Sequence, residues 1–343
     1  MYFEYSMKLL VADIGGTNAR FAYQEENNGA LINFAYLKCS DYENIYDALE
    51  HYQQKNNLDI ENMSIAVAST TKKNDIKFTN NHWNFKQSDF LKYFNLNKLI
   101  FVNDFVAQCL SLASFYKDIS ENKTINDKLL NDYDLKTIKS GTPIKNAPLL
   151  VTGPGTGLGV CTLLNINNYP LAIEGEGGHS SFAPNSDLEI ELLQHLRKKY
   201  DHVSNERIVS GSGIEEIYEF ICFKDKSPFE NLKAPIIGEN AIKGEHKAYE
   251  TIKLFFSIFG TIISSVILIN GAQSGVVIAG GITPKLQTIL NKSNFELNLL
   301  NKGRRYDYVK TVPIWLTENN NNGLIGASKA IVNPHYMSKI LSN

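Results

Sequence analysis

The chain has 343 residues, enough for about two domains at roughly 150 residues each. Hydrophobic residues make up 43% and charged residues 20%, which excludes disorder as the main state. The 34 basic and 36 acidic side chains give a net charge of -2, and the only arginines are Arg20, Arg197, Arg207, Arg304 and Arg305, so there is no basic footprint for nucleic acid.

In chain order, Met1 to Ser6 has neither a basic start nor a long apolar run, so no signal peptide is expected. Lys8 to Asp13 reads as a strand entering a glycine turn, with a second strand at Arg20 to Tyr23. Asp41 to Gln54 has helical spacing at Ile45, Ala48, Leu49 and Tyr52, with Asp41 near its cap. Strands are expected at Ser64 to Ala68 and Lys98 to Asn103, with a helix capped by Ser88 at Gln87 to Phe94 between them and another from Asp104 to Ser114. Strands alternating with helices indicate an α/β sheet. The polar stretch Lys117 to Asn146 reads as a mobile insertion at a domain transition.

A second block repeats strand, glycine turn and strand, at Leu149 to Gly153, Gly155 to Gly159 and Val160 to Ile166, about 140 residues after the first. This hints at a duplicated unit. A strand at Leu171 to Glu174 follows, then helices at Asp187 to Tyr200, Gly213 to Cys222 and Glu245 to Asn270. Strands at Gly275 to Ala279 and Thr311 to Thr317 precede a last helix from Gly323 to Asn333. The apolar run Leu254 to Ile269, 16 residues interrupted by Gly260 and several hydroxyls, is short of the roughly 20 needed to cross a bilayer and reads as a buried core helix. Cys39, Cys109, Cys161 and Cys222 are far apart and mostly within apolar runs, as suits a reducing compartment, and no CxxC or Cys/His zinc spacing exists.

Three glycine turns follow apolar strands: Asp13 to Asn18, Gly153 to Gly159, and Ala279 to Ile282. Glycine lets backbone N–H groups approach a phosphate, and Thr17 or Thr156 adds a hydroxyl. There is no GxxxxGK[ST], and Leu158 stands where GxGxxG needs its third glycine, so the P-loop and Rossmann readings both fail. Asp13, at the end of the first strand, suits a magnesium ion that keeps its waters, or else caps its own turn.

Asn103 and Asp104 end a strand and open a helix, where Asp104 is either a cap or a catalytic acid. Glu174-Gly-Glu176-Gly-Gly-His179 places acceptors for a polyol on a glycine loop. Glu206 is isolated in sequence and on its own reads as a surface acid or helix start. A zinc site at Glu176, His179 and Glu206 lacks the usual helical His spacing, and the spacing of Ser210 to Gly213 is wrong for a nucleophile elbow.

Together, Ala12 to Arg20, Thr79 to Phe85, Asn103 to Phe105, Gly153 to Gly159, Gly175 to Pro184, Glu206-Arg207, Ile278 to Ile282 and Gly323 to Gly326 resemble the bacterial glucokinase family over nearly the whole chain. That family sits among the sugar kinases and actin-like ATPases. The resemblance implies an α/β fold of two RNase H-like domains flanking an active-site cleft. Residues 1–114 plus 320–343 would form a small α/β domain and 115–319 a larger one with helical insertions. It also implies ATP-dependent phosphorylation of the 6-hydroxyl of glucose, with ATP and Mg2+ and with Asp104 as general base. Asn103, Glu176, His179 and Glu206 match its sugar ligands. Asp13, Gly15, Gly16, Thr17 and Asn18 match its first phosphate motif, with magnesium held by Asp13 through water. Gly155, Thr156 and Gly157 match the second, and Gly280 and Gly281 the adenosine motif. The family is typically cytoplasmic and homodimeric, with no nucleic-acid or membrane partner. The zinc-binding cysteine cluster of the neighbouring ROK kinases is missing here. Another hexose as acceptor, or a sugar sensor without catalysis, remain the alternatives.

Overall fold

The computed structural model describes residues 6–27, 29–69, 71, 73–78 and 81–342, so Met1 to Tyr5 and the Thr79-Asn80 pair of one motif lie outside the described residues. The strands in chain order are β1 (Ser6–Ile14), β2 (Asn18–Glu26), β3 (Ile32–Lys38), β4 (Asn62–Val67), β5 (Asp75–Lys77), β6 (Asn84–Lys86), β7 (Lys98–Asn103), β8 (Leu135–Lys139), β9 (Leu149–Pro154), β10 (Leu158–Ile166), β11 (Tyr169–Gly175), β12 (Gly275–Ile278), β13 (Ile314–Thr317) and β14 (Leu341–Ser342). By their contacts, residues Met1–Phe115, Leu163–Glu174 and Asn320–Asn343 form one unit, and Tyr116–Thr162 and Gly175–Asn319 a second.

In the first unit the apolar runs of β1, β4 and β7 pair in parallel, as befits strands covered on both faces. β2 and β3 extend the sheet antiparallel to give the order β14-β7-β4-β1-β2-β3. Asp13 on β1 and Asn103 on β7 therefore stand at the same, carboxyl-terminal edge, where open α/β sheets bind ligands. The helix after β3 spans Ile45–Asn56, and its cap is Asn44, whose side chain accepts from Asp47 N, because Asp41 is taken up in a 3-10 turn. The Gln87–Tyr93 helix has no side-chain cap of its own. Asn74, from an earlier loop, accepts from Ser88 N at 3.0 Å instead.

The second sheet has the order β11-β10-β9-β12-β13-β8. Each sheet thus runs as a three-strand meander, two parallel strands and an antiparallel edge strand, the edge being β14 in one and β8 in the other. The polar stretch expected to be a mobile insertion supplies a helix at Asp127–Asp132 and this edge strand β8. The ammonium of Lys139 is buried there and donates to the carbonyls of Ser140, Lys310 and Val312, which is why a lysine is tolerated inside. The outer half of the β10-β11 hairpin groups with the first unit, since Asn333 donates to Pro170 O and Ala172 N donates to Tyr336 OH.

The apolar segment that prompted the bilayer question is the helix His246–Asn270. Among the described residues it alone is long and apolar enough to cross a membrane, but it is buried from Ala248 to Ile267 along most of its length in the core of the second unit. Gly271 ends it in the left-handed conformation at φ 66°. All four cysteines are buried thiols.

Candidate active site

In the first unit the candidate residues stand at two strand ends. The turn between β1 and β2 closes with Gly15 N donating to Asn18 O at 2.9 Å, and Cys39 N donates to Thr17 O at 2.9 Å. Asn81 Nδ2 donates to Gly15 O at 3.1 Å, so a neighbouring loop holds the turn from outside. The Gly15 N–H is thus engaged within the turn itself. Asp13 lies directly across the hairpin from Arg20, and Arg20 Nη1 donates to Asp13 Oδ2 at 2.9 Å. Only 13% of the Asp13 side chain is exposed. Burial pushes its carboxyl up, and the Arg20 guanidinium opposes that shift. Gly323, at the start of the Asn322–Ala330 helix, leaves room for this carboxylate, since a Cβ there would lie 2.5 Å from Asp13 Cγ.

At the end of β7 the helix cap is Asn103 and not Asp104. The Asn103 side-chain oxygen accepts from Phe105 N at 2.9 Å and Val106 N at 3.3 Å, making it the cap of the Asp104–Ser111 helix. Asp104 is then the first helical residue, and its Oδ1 accepts from Phe105 N at 2.9 Å. A helix N-terminus favours an anion, the form a proton acceptor needs.

The second unit brings the distant Glu206 to Glu176 and His179. Glu176 to His179 forms a loop ending in a 3-10 turn, in which His179 N donates to Glu176 O at 2.9 Å. The segment 203–206 runs alongside it: Phe182 N donates to Val203 O, Asn205 N to Ser180 O and Glu206 N to Gly178 O. This backbone ladder carries Glu206, isolated in sequence, to the glycine loop. His179 Nε2 stands 3.9 Å from Glu176 Oε2 and 3.8 Å from Glu206 Oε1, so the three side chains face a common point. Asn205, which also donates to Ser180 Oγ, is the supporting residue that sequence reading missed.

The second glycine turn mirrors the first. Gly155 N donates to Gly157 O at 2.8 Å. Gly280 has φ +91°, a conformation that disfavours other residues, and packs on the backbone of Pro154, so the third glycine motif lies against the second. Gly281 follows in open space and leads into the Thr283–Leu290 helix.

The sequence matches the Glucokinase family across residues 10–334. It is 34% identical to a glucokinase of Neisseria meningitidis over 326 residues, 94% of each chain. It is 35% identical to one from Helicobacter pylori over 336 residues, 94% of this chain and 95% of that protein. A glucokinase structure from an Antarctic psychrotroph superposes with a TM-score of 0.78 at 31% identity, covering 94% of this chain and 98% of that one. One from Balamuthia mandrillaris in complex with glucose gives 0.75 at 20% identity over 93% and 92% of the two chains, a likeness of fold alone. These matches make the protein an enzyme, a phosphotransferase with an alcohol acceptor. More narrowly, the chain belongs to the glucokinase family.

Proposed function

We propose that this chain transfers the γ-phosphoryl group of ATP to the 6-hydroxyl of D-glucose. The observation that carries the reading is the meeting of Glu176, His179 and Glu206 around His179 Nε2. Two carboxylates accept from vicinal hydroxyls and an imidazole adds a donor or acceptor, a set that penalises a sugar lacking one of those hydroxyls. Asn103, a sugar ligand by family resemblance, keeps its amide N–H groups for a hydroxyl, its oxygen being engaged at the helix cap.

Asp104 is the general base. The sugar oxygen attacks the γ-phosphorus, the bond to the bridging oxygen of ADP breaks, and the hydroxyl proton passes to the Asp104 carboxylate. Because phosphoryl transfer has a loose transition state, placing the hydroxyl in line is as much a part of this residue's work as taking the proton. Gly16, Thr17, Thr156 and Gly157 would offer backbone donors to the phosphates, and Gly281, in open space after Gly280, would leave room for the adenosine. Among the described residues no three His, Cys, Asp or Glu side chains form a metal-binding group. Asp13 would hold a magnesium ion that comes with the nucleotide, through water, and that ion would neutralise phosphate charge. The repeated strand order of the two sheets supports reading the units as two RNase H-like domains.

A coupled assay with Mg-ATP and a panel of hexoses tests the reading. Glucose 6-phosphate is the expected product. Turnover of mannose, fructose or an amino sugar with glucose inert would overturn the acceptor, and glucose binding without turnover would point to a sensor.

A further inference from the structure

Gly155 and Gly157 stand two residues apart in one turn, and neither has a positive φ, yet their surroundings differ. A Cβ on Gly155 would meet nothing within 4 Å. A Cβ on Gly157 would lie 2.4 Å from Glu206 Oε2 and 3.0 Å from its Cδ. The next residue, Leu158, donates its N–H to that same Oε2 at 2.8 Å. The sugar loop is seated on the turn as well: a Cβ on Gly178 would lie 2.2 Å from Leu158 O, and Glu206 N donates to Gly178 O at 2.8 Å. With Oε2 anchored, Oε1 is the oxygen that faces His179 Nε2.

We propose that the second glycine turn positions Glu206 for the sugar: the Leu158 N–H and the bare α-carbon of Gly157 hold one carboxylate oxygen so that the other meets a hexose hydroxyl. The inference rests on the function proposed above and adds to it a role in the sugar site for a turn that the family resemblance gives to phosphates. A carboxylate at the end of a flexible side chain is the part that yields when a Cβ is added at position 157. The fold therefore survives that change, and the aim of Glu206 does not.

The test is Gly157→Ala, with glucose affinity measured by calorimetry without nucleotide and KM values for glucose and Mg-ATP taken in the coupled assay. The dissociation constant for glucose is expected to rise about tenfold, the size of one charge-assisted hydrogen bond misaligned. Gly155→Ala, with open space around it, is expected to act on the KM for Mg-ATP and leave the glucose affinity within about twofold. In a Glu206→Ala background the clash is gone, so Gly157→Ala costs no further glucose affinity. Should Gly157→Ala alone fail to fold, that double variant still folds and binds glucose as Glu206→Ala does. Normal glucose binding by Gly157→Ala, or an equal penalty in both backgrounds, overturns the inference while glucose turnover by the unaltered chain keeps the reaction in place. An unaltered chain that binds no hexose overturns both.

Discussion

The two glycine turns stand at equivalent points of two sheets with the same strand order, and each has a carboxylate beside it that comes to its place differently. In the first unit the carboxylate is local. Asp13 lies on the strand leading into the turn, is largely buried, and is tied to Arg20 across the hairpin, with Gly323 making room for it. In the second unit it is imported. Glu206 arrives from nearly fifty residues further along the chain, is 31% exposed, and is anchored by a backbone N–H of the turn itself. A buried acid held by a cation suits a fixed charge beside phosphates, whereas a half-exposed acid with one oxygen anchored suits a ligand for a neutral sugar. Under the proposed function the same local architecture would serve two chemistries by changing where its acid comes from.

The comparison breaks most visibly if the two acids are removed separately. Glu206→Ala is expected to weaken glucose binding about a hundredfold by calorimetry. Asp13→Ala is expected to lower kcat/KM for Mg-ATP by about the same factor, with glucose affinity nearly unchanged, charged hydrogen bonds being worth roughly 1.5–3 kcal/mol each. Equal effects of both variants on both substrates would erase the distinction. A smaller effect is expected on stability. Arg20→Met strips a largely buried carboxylate of its counter-charge, at a cost of about 2 kcal/mol, or a fall in Tm of about 4–8 °C by differential scanning calorimetry. No drop in Tm would show that Arg20 is not what keeps Asp13 charged inside the unit.

The smallest effect concerns Lys329, on the helix that carries Gly323. Burial lowers its ammonium to about 8, from an ordinary 10.5, while it donates to Ser111 O and Ser114 Oγ. Between those two values the unfolded chain holds a proton that the folded chain has released, so this group makes the fold more stable as pH rises from about 8 to 10.5. Lys329→Met is expected to flatten the rise of Tm between pH 8 and 10 by about 2 °C relative to the unaltered chain. An unchanged slope would show that Lys329 keeps its proton throughout.

The parallel strands were legible in the sequence because each buries both faces and so reads as an unbroken apolar run, β7 from Lys98 to Asn103 being the clearest. Edge strands were not. In β3 no residue is fully buried, and Ile32, Phe34 and Tyr36 point outward, so its alternation is inverted from that of a half-buried strand. β8 hides a lysine ammonium among carbonyls, which no hydropathy pattern signals. Within the site, the glycine loop with Glu176 and His179 stood out because its acceptors are crowded into one stretch. Glu206 did not, since its place depends on a backbone ladder between segments 175–182 and 203–206. The cap of the Asp104 helix could not be assigned from residue type, as Asn103 and Asp104 are both good caps and only the backbone decides between them.

The proposed reaction turns on Asp104. In Asp104→Asn the side chain keeps its shape and an acceptor for Phe105 N, but it no longer takes a proton. Single-turnover and steady-state assays with glucose and Mg-ATP are expected to show kcat reduced by about a hundredfold to ten-thousandfold, with the calorimetric affinity for glucose within about threefold of the unaltered chain. A variant that still turns over within tenfold of normal would contradict the assignment of Asp104 as the general base.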